Sequence, residues 1–185
     1  MKYYNEIRLA FYWLVKRVAD YISAILMIVI LMIPITLIYS ICVLFSKEQK
    51  HVFFKQERLG KNGKIFMMYK FCTMEDEKIT DVGLFLRAHS FDEVPAAINI
   101  LLGQMSLIGP RPSRPFELTP DNPHYAAITG VRPGITGLWQ VSGRHKIKLP
   151  QRYELEAQYI KKRGLVIDTK IFFKSFNVFF TKGGL

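Results

Sequence analysis

Cysteine is nearly absent. Two thiols, Cys42 and Cys72, cannot form a disulfide framework, and Cys42 lies inside an apolar run, so a reducing compartment fits best. Negative charge is also scarce. Fifteen acidic residues stand against 26 Lys and Arg, giving a formal net charge of +11 and a pI near 9.7. That imbalance calls for an anionic partner, whether nucleic acid, phospholipid or a phosphorylated substrate. No internal repeat and no low-complexity tract is present, and 185 residues amount to one domain, or one domain with an appendage. The most local absence is charge itself, which is missing from every position between Tyr21 and Ser46. Half of the residues are hydrophobic and the mean hydropathy is +0.12, and much of that apolar content is concentrated in this run.

An uncharged run of this length exceeds the roughly 20 residues that span a bilayer. A secretory signal is excluded, because the apolar region is too long and no small-residue cleavage site follows. Before the run, Arg8, Lys16, Arg17 and Asp20 mix with Phe11, Tyr12, Trp13 and Leu14, a combination that suits a membrane interface. Pro34 sits in the middle of the run, where it breaks a helical hydrogen bond. Basic residues flank both ends: Lys16 and Arg17 before, Lys47, Lys50 and Lys55 after. The positive-inside rule draws both ends to the cytoplasm, which favours a re-entrant helix kinked at Pro34 over a single span.

Residues 52–58 and 64–71 read as two strands joined around Asn62-Gly63, a favoured type I′ turn. Lys55, Arg58, Lys61, Lys64 and Lys70 make this hairpin basic, and most of these lysines read as solvated. Residues 82–88 read as a helix that delivers Arg87. Ser90-Phe-Asp-Glu93 has the form of a capping box, in which Ser90 caps a helix and Glu93 reaches back to it. That helix continues over residues 96–102, with Ile98, Leu101 and Leu102 offered to the core. The turn Gly109-Pro110-Arg111-Pro112 follows, and then VRPGITGLWQVSGR at 131–144, whose glycines would let a backbone approach a ligand closely. Residues 152–163 and 167–180 read as helices, the second rich in phenylalanine and suited to the interface.

Taken in order, FFKQERLGKNGKIF, KITDVGLFLRAHSFDEVP, NILLGQMSLIGPRP and VRPGITGLWQVSGR resemble the bacterial sugar transferases, the monotopic phosphoglycosyl transferases. The resemblance extends from Lys16-Arg17-x-x-Asp20 to Gly184. It implies an α+β fold: a re-entrant N-terminal membrane helix over residues 1–47, and over 48–185 a compact cytosolic domain of helices with a small β-hairpin and sheet. It implies transfer of a phosphosugar from a UDP-sugar to polyprenol phosphate with release of UMP, dependent on Mg²⁺, at the cytoplasmic face of the bacterial inner membrane. Asp92 matches the nucleophile and Glu93 its dyad partner, the two carboxylates holding the metal. Arg87, Arg111, Arg132 and Arg144 are the arginines that could grip the phosphates.

The bilayer is an expected partner and nucleic acid is not, since a basic recognition helix is lacking; a homodimer is compatible with the resemblance. Ile33, Cys72, Ala96, Gln104 and Glu156 depart from the family pattern, and the loop between Met74 and Ile79 is short. Two alternatives stay open: a glycosyltransferase releasing UDP, and a non-catalytic basic module on a membrane surface.

Overall fold

The computed structural model describes residues 2–46, 50–143 and 146–180. It is an α+β protein with three small two-stranded sheets around which the helices pack. The chain opens with α1 (Lys2–Leu26), a π-helical stretch (Met27–Met32) and α2 (Ile33–Phe45). Helical hydrogen bonding runs through Pro34 without a loop. Proline cannot donate, and its ring crowds the carbonyl four residues back. The preceding turns widen to accommodate it, with Ile33 N–H bonding Ile28 O, five residues back. The break expected at Pro34 is therefore a widened turn inside one long helix.

α1 is amphipathic with its polarity inverted. Tyr12, Lys16, Asp20 and Ala24, spaced by four, are buried against the rest of the protein. Phe11, Leu14, Val18, Ile22 and Ile25 lie on the opposite side and are about half exposed or more. A helix on a soluble surface shows the reverse arrangement. The buried face is held by Asp168, whose Oδ2 pairs with Lys16 Nζ at 2.7 Å and accepts from the Tyr12 hydroxyl at 3.0 Å. The Tyr159 hydroxyl donates to Oδ1 at 2.8 Å. Asp20 Oδ1 accepts from Ser106 Oγ at 2.9 Å and from Leu107 N–H at 2.8 Å. Asp168→Ala should therefore leave Lys16 buried without its counter-ion and destabilise the protein by about 3–5 kcal/mol. Thermal unfolding in detergent checks this, and an unchanged midpoint would show that α1 is held by packing alone.

The hairpin pairs β1 (Phe53–Leu59) with β2 (Ile65–Phe71), antiparallel, from Phe53↔Phe71 to Leu59↔Ile65. Asn62 and Gly63 both take positive φ, as a type I′ turn requires, within a connection one residue longer than the minimal hairpin. A second small hairpin, β3 (Met74–Glu75) with β4 (Lys78–Ile79), precedes α3 (Asp81–Ala88). Next come a 3₁₀ segment (Phe91–Ala96) and α4 (Ala97–Leu101). β5 (Ser106–Ile108) and β6 (Gly134–Thr136) run parallel, with α5 (Tyr125–Thr129) between them in sequence. α6 (Leu138–Val141), α7 (Gln151–Lys162) and α8 (Leu165–Phe180) complete the chain.

Ala24 packs with Phe66, Met68 and Ala97, while Tyr39 packs with Phe71, Leu86 and Val94. The Tyr39 hydroxyl also donates to the Cys72 carbonyl. The long helix is thus fastened on both sides of Pro34 to the same strand, β2. The expected core face of α4 is corrected. Ile100, Ala96 and Ala97 are buried, whereas Leu101 and Leu102 are exposed, because the 3₁₀ turn before α4 rotates its register.

Candidate functional site

The site begins with a backbone reversal. α3 ends at Ala88, and Ser90 takes a left-handed conformation (φ 57°) that turns the chain into the 3₁₀ segment carrying Asp92 and Glu93. The capping box is not formed: Ser90 makes no capping bond, and Glu93 turns away from the helix start toward Lys70. Three residues per turn separate adjacent side chains by about 120°. Asp92 and Glu93 nevertheless meet the same cation. Lys70 Nζ lies 2.8 Å from Glu93 Oε1 and 3.9 Å from Asp92 Oδ2, and Arg111 Nη1 lies 3.7 Å from Glu93 Oε1. Both carboxyl side chains are mostly buried, with 16% and 17% of their surface open.

This environment separates two chemically similar groups. Burial pushes the Asp92 carboxyl up, to about 6, and the neighbouring Glu93 charge adds to the rise, while Lys70, Arg87 and Arg111 oppose it. Burial also works against the Glu93 charge, but Lys70 and Arg111 outweigh it and hold that carboxyl well below its usual range. Glu93 stays ionised and tied up. Asp92 becomes the more basic carboxylate of the pair and is still ionised at neutral pH.

Lys70 was legible only through pairing. On β2 it shares a face with Phe66 and Met68, both buried, so it points inward although its type suggests a solvated lysine. Arg58, opposite Phe66, points inward for the same reason and donates to Pro112 O at 3.0 Å. Lys55, Lys61 and Lys64 are exposed, as expected. Asn99, fully buried on α4, locks β2 on both sides of Met68, accepting from Tyr69 N–H at 3.0 Å and donating to Met67 O at 2.8 Å. Its Nδ2 also donates to Gln104 Oε1 at 2.7 Å, a bond that an acid at position 104 would accept equally well.

The turn that carries Arg111 is clamped from α7. Glu156 Oε1 accepts from Arg111 N–H at 2.9 Å and from Arg152 Nε at 3.3 Å. Arg152 Nη2 donates to Arg111 O at 3.1 Å and to Ser113 Oγ at 2.9 Å. Glu156, a departure from the pattern, is therefore a buried positioning group. Burial raises its carboxyl, with Arg152 and the Arg111 N–H opposing. The glycines of the 131–144 segment serve the same frame. Gly134 and Gly137 abut the Gly109 main chain so closely that a Cβ would not fit, so the close approach they permit is strand to turn.

Of the arginines expected at phosphate, Arg87 and Arg111 stand with the dyad. Arg87 Nε is anchored on Thr73 Oγ1 at 2.8 Å, and its charge reaches Asp92. Arg132 does not join them: its Nε donates to Gly103 O at 2.7 Å, and it lines a separate cleft under α1. Arg144 lies outside the described residues, as do Lys47 and the side chains of Phe176, Phe179 and Phe180.

The profile of the family described as bacterial sugar transferase matches residues 11–182. A sugar transferase of Bacillus subtilis is 35% identical over 85% of this chain and 83% of its own length. The undecaprenyl-phosphate galactose phosphotransferase of Salmonella typhimurium is 31% identical over 91% of this chain but 41% of its own. The UDP-glucose:undecaprenyl-phosphate glucose-1-phosphate transferase of Klebsiella pneumoniae is 35% identical over 85% of this chain and 38% of its own. The chain thus spans less than half the length of the last two.

Proposed function

The chain belongs to the bacterial sugar transferase family, and we propose from that premise that it transfers a sugar phosphate from a UDP-sugar to polyprenol phosphate, releasing UMP. The observation that carries the reading is the division of charge within the dyad: Glu93 is held by Lys70 and Arg111, while Asp92 remains the more basic carboxylate. A carboxylate raised into this range is a better nucleophile than an ordinary one and is still ionised at neutral pH. An Asp92 oxygen attacks the phosphorus that bears the sugar. The bond from that phosphorus to the bridging oxygen breaks, and UMP leaves. The phosphate oxygen of polyprenol phosphate then attacks the same phosphorus and displaces Asp92, giving a polyprenyl diphosphate sugar. Lys70, Arg87 and Arg111 oppose the repulsion between an anionic site and an anionic substrate.

Mg²⁺ fits this donor set. Among the described residues no third acidic, His or Cys side chain joins Asp92 and Glu93. Mg²⁺ is commonly held by one or two carboxylates with water and substrate phosphate. Asp92 and Glu93 would hold it, and it would supply charge neutralisation at the diphosphate.

The inverted amphipathicity of α1 and the uncharged stretch that follows support membrane binding, because a helix that buries its polar face and exposes its apolar one suits lipid on the outer side. Fastening on both sides of Pro34 to β2 supports a re-entrant, monotopic placement on the cytoplasmic face. Single-cysteine labels at Lys2 and Lys64, in a background lacking Cys42 and Cys72, should both react from the cytoplasmic side only. Labels on opposite sides would establish a full span.

A panel of UDP-sugars with polyprenol phosphate, read by the nucleotide released, tests the reaction. UMP is the expected product. UDP would make the protein an ordinary glycosyltransferase, and the absence of either product across the panel would favour a binding module.

A further inference from the structure

We infer that the cleft under α1 is a second anion site, which takes a phosphate at the depth of the lipid headgroups and is separate from the dyad. The cleft encloses about 280 Å³ and is lined by Trp13, Lys16 and Arg17 of α1, Lys61 of the hairpin turn, Arg132, and Arg163 just after α7. None of Lys70, Arg87, Asp92, Glu93 and Arg111 lines it.

Five of those six residues are cations, and two carboxylates oppose them: Asp20 in the wall and Asp168 behind Lys16. The other bonds of the guanidinium groups go to neutral oxygens. Arg132 donates to Gly103 O, Arg163 Nη1 to Ile160 O at 2.8 Å, and Arg17 Nη2 to Ile100 O at 3.0 Å. Carbonyls satisfy donors without cancelling charge. Arg163 Nε is buried with no hydrogen-bond partner among the described residues, and its guanidinium lies 5.3 Å from the Trp13 ring. A rigid, unneutralised guanidinium with a spare donor in a basic cleft matches a phosphate, which accepts several charge-assisted bonds at once.

Depth follows from the helix. Lys16 and Arg17 precede the first residue of the uncharged run by four or five positions, roughly 6–8 Å along the axis. This part rests on the membrane placement proposed above, and it puts the cleft where phospholipid phosphates lie. A phospholipid headgroup and a free phosphate share the chemistry, so the test must tell them apart.

The test uses the full chain in neutral detergent, titrated with a short-chain phosphatidylglycerol below its micelle concentration and, separately, with inorganic phosphate. The Arg163→Gln/Lys61→Gln variant should bind phosphatidylglycerol about thirtyfold more weakly, a loss of the size that two cations near an anionic lipid supply. Arg111→Gln should bind it as the parent does. Phosphatidylglycerol bound more tightly than phosphate, and lost in the double variant, assigns the site to lipid. Phosphate bound equally well, and lost in the same variant, keeps the anion site and makes its source soluble. Binding unaffected in the double variant, or none in the parent, overturns the inference. UMP release by the same preparations is measured alongside: lipid binding without turnover in the parent would sink the proposed reaction and leave the cleft standing.

Discussion

Replacing Asp92 with Asn is expected to abolish turnover and to raise the melting temperature. The two effects share one cause. Burial and the adjacent Glu93 raise the Asp92 carboxyl from 3.8 to about 6, so its charge is unfavourable in the folded protein. A group whose folded pKa is raised contributes stability below its unfolded value, and that contribution is lost as pH rises through the folded one. At about pH 7.5 the loss is complete, and Asp92→Asn should recover about 3 kcal/mol. Below about pH 3, where Asp92 is protonated in both states, the variant and the parent should melt together. Activity has the opposite sign. The attacking carboxylate must be ionised, so the parent's kcat/KM should fall as pH drops through about 6. Asn cannot attack, and the rate should drop by roughly 10⁴-fold or more. Incubation with a UDP-sugar labelled in the sugar, without acceptor, should leave label on the parent and none on the variant. A parent that turns over yet retains no label under rapid quench would make the transfer direct. A variant that melts lower than the parent at neutral pH would mean that Asp92 is held by bonds its charge strengthens.

The same two residues show what a sequence can reveal. Asp92, Glu93 and Arg111 lie in one continuous segment, and their proximity to the turn at 109–112 is encoded locally. Arg87 sits one helix earlier and was within reach of the same reading. What was lost depended on pairing. Whether Lys70 and Arg58 face water or the site is decided by the register of β1 against β2, and a shift by one residue reverses every side chain. The capping box does not form because Ser90 is left-handed and a 3₁₀ turn follows it, where the local sequence suggests an ordinary α-helical start. Arg132 sits in a motif whose glycines suggest a ligand, yet those glycines serve the contact between β6 and the 109–112 turn, and the arginine leaves toward Gly103. The amphipathic prelude was legible as a pattern. Which of its faces would be buried was not, because lipid and protein compete for an apolar face, and only the position of Asp168 on a helix far along the chain settles the choice.

Lys70→Met is expected to shift the acid limb of activity upward and to lower stability, and together these outcomes separate a catalytic-site cation from a strand residue. Lys70 is the cation closest to Glu93 and lowers the pKa of both dyad carboxyls. Methionine keeps the unbranched stem while removing the charge. Glu93 is then left mostly buried with Arg111 at 3.7 Å as its nearest cation, a loss of about 3–5 kcal/mol for a broken buried pair. The Asp92 carboxyl loses one of the charges that opposed its rise, so the acid limb should move above pH 6 and the rate at neutral pH should fall with it. Glu93→Gln shifts the limb the other way, because the Glu93 charge is itself one cause of the raised Asp92 pKa. It should therefore be far from silent, as a simple capping role would have made it. The double variant Lys70→Met/Glu93→Gln discards both charges, and it should recover much of the stability lost in Lys70→Met without recovering the rate. If each single variant melts lower and keeps the parent's pH profile, Lys70 and Glu93 form a structural pair only. The raised Asp92 pKa would then have to arise from burial alone.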